Sequence, residues 1–429
     1  MSTDGIIIIG NGITGITAAC SVRRNHPEMR IRIISSESDY FFSRTALMYI
    51  YMGQMRLKDT EVLERDFYRE QRLELIRDQA LSILPEKKQI LLKESGLLTY
   101  DRLLLALGGQ PNRFGWPGET LENVTGLYSL GDLQTLERAG KNAKRAVLVG
   151  GGLIGVEMAE MLRSRGMEVT FLVREMSYMD YVLPPEESEM VNNEIRSHGV
   201  DLRLSTGLKE LKGEIRVEQA VTDSGEIIPC DLAGLTAGVR PNTELARQAN
   251  IQVKRGICVD ERFRTSGKDI FAAGDCAEFV LPDGKGKVEQ LWYTGKKQGE
   301  SVGRILAALD VESQAPYDPG IFFNSARFFS LEYQVYGQTP LTGPSVFYRH
   351  PSGKKSIRLC YEKFGQDTRI KGFLLMGVRY RHALCEAWIR EERSVTYVLD
   401  HLSEANFDPE FFSRHEPELK RIYMQGASV

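Results

Sequence analysis

A chain of 429 residues is longer than one hydrophobic core ordinarily organises, so two or three domains are expected. Its 42% hydrophobic and 26% charged residues are those of an ordinary globular protein, and a net charge of −3 gives no argument for nucleic acid or an anionic membrane as partner. No apolar run approaches the roughly 18 residues of a spanning helix, and no basic segment followed by an apolar core opens the chain, so a cytoplasmic protein is expected.

The first element is the run Ile6-Ile7-Ile8-Ile9, whose four β-branched residues read as a fully buried strand. It leads directly into Gly10-Asn11-Gly12-Ile13-Thr14-Gly15, which has the spacing of a dinucleotide-binding turn. In such a turn the first glycine permits the tight bend, the second lets a pyrophosphate approach the backbone, and the third lets the following helix pack close to the strand. The helix then points its unpaired N–H groups at the phosphates. A lone match of this kind is a weak signal, but small residues continue the helix, and a second strand at Ile31–Ile34 follows at βαβ distance. Glu37, about twenty residues beyond the glycines, stands where an acid takes the ribose hydroxyls of an adenine dinucleotide.

Further along, Asp59–Leu73 is charged with a helical period, and Ala80–Leu92 reads as short strands about a turn at Pro85-Glu86-Lys87-Lys88. The run from Tyr100 to Gly109 is another buried strand that ends on glycines, and Trp116-Pro117-Gly118 marks a domain exit. A second unit then repeats the first: Ala146-Val147-Leu148-Val149, the turn Gly150-Gly151-Gly152-Leu153-Ile154-Gly155, a helix, and a strand over Val169–Val173. Two strand–turn–helix units about 140 residues apart are hard to obtain by chance, so two dinucleotide sites are expected. Val173 stands where an NAD-preferring site holds an acid. Arg174 follows it, and it either pairs with a 2′-phosphate, which leans the site toward NADPH, or is a solvated surface arginine. Gly238-Val239-Arg240-Pro241-Asn242 is a turn returning to the first domain, and Thr265 to Cys276 is a buried strand ending on Gly274-Asp275. Asp275 alone reads either as a helix cap or as an acceptor for a sugar-alcohol hydroxyl.

In this order the features resemble the pyridine nucleotide-disulfide oxidoreductase superfamily over roughly residues 1–315, and within it the rubredoxin and ferredoxin reductase branch. The resemblance implies an α/β protein of two Rossmann-like domains, for FAD and NAD(P), with a C-terminal α+β domain. The FAD domain would comprise residues 1–115 and 233–315, the NAD(P) domain residues 116–232, and the last domain residues 316–429. FAD would be bound by Gly10, Asn11, Gly12, Ile13, Thr14, Gly15, Glu37, Arg44, Thr45, Ala106, Gly108, Gly274 and Asp275, with Asp275 on the ribityl chain and Glu37 on the adenosine ribose. NAD(P)H would meet Gly150, Gly152, Leu153, Ile154, Gly155, Glu157 and Arg174, and Gly238, in the returning turn, would also contact a cofactor. Thr45 stands where some relatives carry a redox cysteine.

The six cysteines, Cys20, Cys230, Cys258, Cys276, Cys360 and Cys385, form no CxxC pair. They support neither a disulfide framework nor a zinc ribbon, and read as small buried hydrophobes. What the resemblance implies is hydride transfer from NAD(P)H to FAD, with electrons leaving for a separate acceptor, a small iron-sulfur redox protein, and no catalytic side chain or metal is required. Two other classes remain open: a quinone or sulfide reductase, and a flavin-binding subunit without nicotinamide activity. A homodimer is an expectation of the resemblance alone. The aromatics Phe322, Phe323, Phe328, Phe329, Tyr333 and Tyr336 read as core before binding patch. Two basic clusters, Lys285, Lys287, Lys296 and Lys297, and Arg379, Arg381, Arg390 and Arg393, either steer an acidic partner or are ordinary surface charge.

Overall fold

The computed structural model describes residues 4–281, 284, 286–365, 367–408 and 414–426. Its contacts divide the chain into two units: Met1–Phe114 with Gly126–Glu137 and Gly238–Pro319, and Gly115–Thr125 with Arg138–Ala237 and Gly320–Val429.

The first unit is built on a five-stranded parallel sheet. Ile6–Ile9 lies at its centre, between Arg102–Leu105 on one side and Ile31–Ser35 on the other, and Ile270–Ala272 and Leu73–Arg77 form the edges. All four isoleucines are buried, as a central parallel strand covered on both faces requires. Ile6 and Ile8 pack toward the helices Ile13–Asn25 and Trp292–Ala307, while Ile7 and Ile9 pack toward Ile83, Ile90 and Ile257 on the other face.

Those two helices approach one another closely, because Gly295, Gly299 and Gly303 on the later one leave room for Thr14, Thr17, Ala18 and Ser21 on the earlier one. A Cβ on Gly299 would lie 2.6 Å from the Thr14 carbonyl oxygen.

The charged stretch after residue 59 departs from the expected single helix. It forms a short turn at Leu57–Thr60 and a helix at Arg65–Glu70, and then becomes strand Leu73–Arg77. Arg72 takes a left-handed φ of 49°, which breaks the helix, and Leu73 pairs with Ile31 instead. Sheet pairing overrides the local period.

The second unit holds another five-stranded sheet, in which Arg145–Val149 lies between Glu168–Leu172 and Leu232–Leu235 with every pair parallel. The same unit carries a five-stranded antiparallel sheet, from Phe323–Phe328 to Asp367–Met376, followed by helices His382–Arg390, Val395–His401 and Glu416–Gly426. The fold is therefore the expected α/β arrangement with a C-terminal sheet domain. Phe328, Phe329, Tyr333 and Tyr336 are buried, in keeping with the core reading, whereas Phe322 is 40% exposed.

The helix Pro185–Ser197 is tied to this antiparallel sheet by charge. Glu187 has no exposed side-chain surface, and it receives the Arg358 guanidinium at 2.8 and 3.0 Å, while Glu186 takes a further arginine N–H at 2.9 Å. A buried pair costs desolvation when formed, but removing one partner strands the other charge. Arg358→Met should accordingly lower unfolding stability by about 3–5 kcal/mol, and Glu187→Leu added to it should restore most of the loss. Denaturant midpoints of the single and double variants provide the measurement.

Candidate functional site

In the first unit the chain leaves Ile6–Ile9 through Gly10, at φ +112°, and enters the helix Ile13–Asn25 with Gly12 as its cap residue. A side chain on Gly10 would run into the Ala106 carbonyl, and one on Gly15 into the Gly10 carbonyl. Gly12 is different. Its φ of −77° and ψ of −175° suit any residue, and nothing lies within 4 Å of where its Cβ would sit. Neither backbone strain nor packing calls for glycine there, which leaves the approach of a ligand as its reason. No side chain caps the helix, so its first N–H groups remain available to an anion.

The second unit repeats this geometry. Gly150 has φ +120° and lies against the Thr236 carbonyl, with 2.6 Å to a Cβ, and Gly155 sits equally close to the Gly150 carbonyl and the Phe171 ring. Gly152, at φ −114° and ψ 178°, again faces open space apart from the Tyr181 hydroxyl at 3.9 Å, and again no side chain caps the helix Leu153–Ser164. Tyr178, fully buried, donates its hydroxyl to the Gly152 carbonyl and holds the turn in place.

Around the first turn the charged side chains form a connected line. The Arg44 guanidinium grips Glu37 through two bonds of 3.1 and 2.6 Å, donates to the Tyr128 carbonyl, and lies 4.8 Å from the centre of the Tyr128 ring. Burial works against the Arg44 cation, but the bond to Glu37 and its charge outweigh burial and hold the pKa above its ordinary value. Glu37 also accepts the Leu130 N–H at 2.9 Å. The Tyr128 hydroxyl accepts from Gly109 N–H at 2.7 Å and donates toward Asp275 at 3.5 Å. Burial pushes the Tyr128 hydroxyl up to about 12 and the Asp275 carboxyl up to about 6, the latter against the pull of Arg44. Gly274, at φ +80°, gives its N–H to the buried Gln298 at 2.7 Å and packs against Thr14.

Two candidate residues turn their side chains to other work. Asn11 donates to the Ser38 and Asp39 carbonyls, and Thr14 fills the space against Gly274 and Gly295, so only their backbone groups are left to meet a ligand. Ile13, Leu153 and Ile154 sit in the first turns of their helices. Gly108 and Gly238 both have positive φ, the first beside the Tyr128 hydroxyl and the second beside Asn112. Thr45 is exposed and shares a 3.0 Å hydrogen bond with Ser43. Tyr128 and Gln298 carried no signal in the sequence, since neither belongs to a glycine turn.

In the second unit Glu157 is held up to about 7, first by burial and then by the charge of Glu160, with Arg327 acting the other way. Glu160 pairs with Arg327 at 2.8 Å. Arg174 is 84% exposed and pairs with Glu175 at 3.1 Å.

The basic clusters are largely spent internally. Lys287 meets Glu289, Lys297 the Pro319 carbonyl, Arg379 Glu332, Arg390 Glu386, Arg393 Glu391 and Arg381 the Glu404 carbonyl. Lys285 lies outside the described residues. All six cysteines are unpaired, and five are buried.

Residues 4–299 match the family model described as pyridine nucleotide-disulphide oxidoreductase. The chain belongs to this family. Its members are FAD-dependent NAD(P)H oxidoreductases, and the chain is an oxidoreductase of that kind. It is 31% identical over 309 residues to the ferredoxin–NAD(+) reductase subunit of a benzene 1,2-dioxygenase system from Pseudomonas putida, covering 72% of this chain and 75% of that one. Rubredoxin-NAD(+) reductase from the same species is 31% identical over 63% of this chain and 71% of its own. Among solved structures, a ferredoxin reductase from Rhodopseudomonas palustris superposes with a TM-score of 0.81 at 25% identity, over 97% of this chain and 99% of that one. Among the described residues, no helix is long and apolar enough to cross a membrane.

The first unit fits FAD on its own geometry. It offers an open glycine and an uncapped helix start for a pyrophosphate, and acids on Glu37 and Asp275. The buried Gln290 Nε2 and Trp292 Nε1 lack any hydrogen-bond partner, as donors reserved for a ligand would.

The buried Asp275 gives a pH signature. A carboxyl whose folded pKa lies above its ordinary 3.8 binds its proton more tightly when folded, so its contribution is full below about 4 and is lost as pH rises through about 6. FAD-free protein should lose at most about 3 kcal/mol across that window relative to Asp275→Asn. Thermal midpoints of the two proteins from pH 4 to 7 measure the difference, and a constant offset would contradict the shifted carboxyl.

Proposed function

We propose that the chain is an NAD(P)H-dependent reductase of a small iron-sulfur protein of the ferredoxin or rubredoxin type. On this reading residues 1–115 and 233–315 hold FAD, residues 116–232 hold the nicotinamide dinucleotide, and residues 316–429 form the third domain. The observation that carries the two-site assignment is the pair of glycines, Gly12 and Gly152, that nothing in the protein requires to be glycine. The iron-sulfur acceptor rests on the relatives, which are reductases of ferredoxin and rubredoxin. The cytoplasm is supported by six cysteines left as thiols, the usual state in a reducing compartment.

Bound FAD supplies the hydride and single-electron chemistry. The chain's own residues bind and orient. The helix start after Gly12 receives the pyrophosphate, Glu37 takes the adenosine ribose, and Arg44 fixes Glu37 and the Tyr128 segment. Asp275, ionised above about pH 6, accepts from the ribityl hydroxyls, and Tyr128 and Gln298 hold the backbone at Gly109 and Gly274 on either side. In the second unit the helix start after Gly152 receives the nicotinamide dinucleotide, and Glu157 stands one turn into that helix with its carboxyl held up to about 7 by burial. No thiol relay operates. Cys276, next to Asp275, donates its S–H to the Leu105 carbonyl, and burial pushes its pKa up to about 12.

Anaerobic mixing of the yellow protein with NADH or NADPH should bleach the flavin band rapidly, and addition of an oxidised ferredoxin or rubredoxin should restore it. Gly12→Val should fold yet purify without flavin. Gly152→Val should retain flavin but bleach at least about tenfold more slowly at limiting nucleotide, since the nearest protein atom to its Cβ position is the Tyr181 hydroxyl at 3.9 Å and its methyls stand in the way of the ligand. Absence of bleaching by both nucleotides within minutes would end the reductase reading.

A further inference from the structure

The residue after strand Glu168–Leu172 is the place where an acid distinguishes NADH from NADPH, and in this chain that place is apolar. Val173 is fully buried, with Cγ1 2.9 Å from where a Cβ of Gly151 would sit, so it fills the space beneath the turn and offers no acceptor. Two residues later the chain supplies one. The Glu175 carboxylate reaches back to the same glycine, with Oε2 3.6 Å from that Cβ position. The bend that brings it there is fixed by backbone bonds: Ser205 donates to the Glu175 carbonyl at 2.9 Å and Thr206 to the Val173 carbonyl at 3.0 Å.

The two oxygens of Glu175 face different ways. Oε1 takes the Arg174 guanidinium at 3.1 Å, while Oε2 is directed to the glycine turn. The Glu175 side chain is only 29% exposed, against 84% for Arg174. The acid is thus the inner member of the pair and the cation the outer one. An ionised carboxylate only accepts hydrogen bonds, and so it matches a ribose hydroxyl. A 2′-phosphate at the same place would bring about two negative charges against it and would find Arg174 already engaged.

Resting on the reading that the second turn holds the nicotinamide dinucleotide, we propose that Glu175 is the residue that selects NADH over NADPH. It accepts a ribose hydroxyl through Oε2, replaces the acid missing at position 173, and draws Arg174 away from a phosphate-binding role.

The test is equilibrium binding to the FAD-loaded protein, by calorimetry with NAD+ and NADP+, together with kcat/KM for flavin reduction by NADH and NADPH. The native protein should favour the non-phosphorylated nucleotide by about tenfold or more, the worth of one charge-assisted hydrogen bond. Glu175→Ala should weaken NAD+ binding by about tenfold and leave NADP+ unchanged or tighter, which collapses the ratio. Glu175→Gln, which keeps the shape and removes the charge, should relieve the exclusion of NADP+ while retaining part of the NAD+ affinity. Flavin content and circular dichroism of both variants verify that they fold.

A native protein that binds NADP+ as tightly as NAD+, or variants with the native ratio, would overturn the assignment. Because binding is read separately from flavin bleaching, a preserved preference without bleaching would sink the reductase reading and leave Glu175 as the selector. Bleaching by both nucleotides alike would do the reverse.

Discussion

The structure depends on backbone meeting backbone at the two glycine turns. Gly10 lies against the Ala106 carbonyl and Gly15 against the Gly10 carbonyl, and Gly150 and Gly155 repeat this against Thr236 and Gly150. These contacts pull each helix down onto its strand so far that its uncapped start opens onto the ends of the parallel strands. Once the outer glycines are fixed by sterics, the middle one is the point where the backbone is bare. Gly12 and Gly152 keep that bareness without any internal need for it. The same constraint spreads in the first unit to helix Trp292–Ala307, whose own glycines let it lie along Ile13–Asn25 and carry Gln298 to the N–H of Gly274.

Charge in the first unit is arranged around this opening. Arg44 does not stand alone as a cation for phosphates. It is held by Glu37, covers the Tyr128 ring and secures the Tyr128 carbonyl. Tyr128 in turn connects Gly109 with Asp275, so Glu37, Arg44, Tyr128 and Asp275 form one connected line. Burial raises the pKa of Asp275 only to about 6, which leaves the carboxylate ionised and accepting near neutrality.

What could be read from the sequence follows from how local each feature is. The glycine turns were legible because their geometry is decided within six residues, and the buried strands because runs such as Ile6–Ile9 allow little else. The sheet and helices after residue 320 were anticipated through the resemblance, as an α+β domain over residues 316–429. The stretch from 59 to 73 misled, because its helical period ends at a left-handed Arg72 and the following residues are captured by pairing with Ile31–Ser35. Tyr128 and Gln298 were beyond reach for a related reason. Each accepts from a backbone N–H that a different segment supplies, and no local spacing announces such a partner.

The thiols beside the first glycine turn are poorly disposed to covalent chemistry. A cysteine relay needs a thiolate, hence an exposed or electropositive setting. Cys276 is the cysteine beside Asp275, and it lies buried, bonded to carbonyl oxygens, next to a carboxylate; burial and that negative charge both hold its proton on. At Thr45 the chain has a hydroxyl bonded to Ser43, with no sulfur to receive electrons. Reducing equivalents from the nicotinamide nucleotide therefore pass through the flavin to an acceptor outside the chain, and charge and hydrogen bonding around the glycine turns are free to bind and orient instead of reacting.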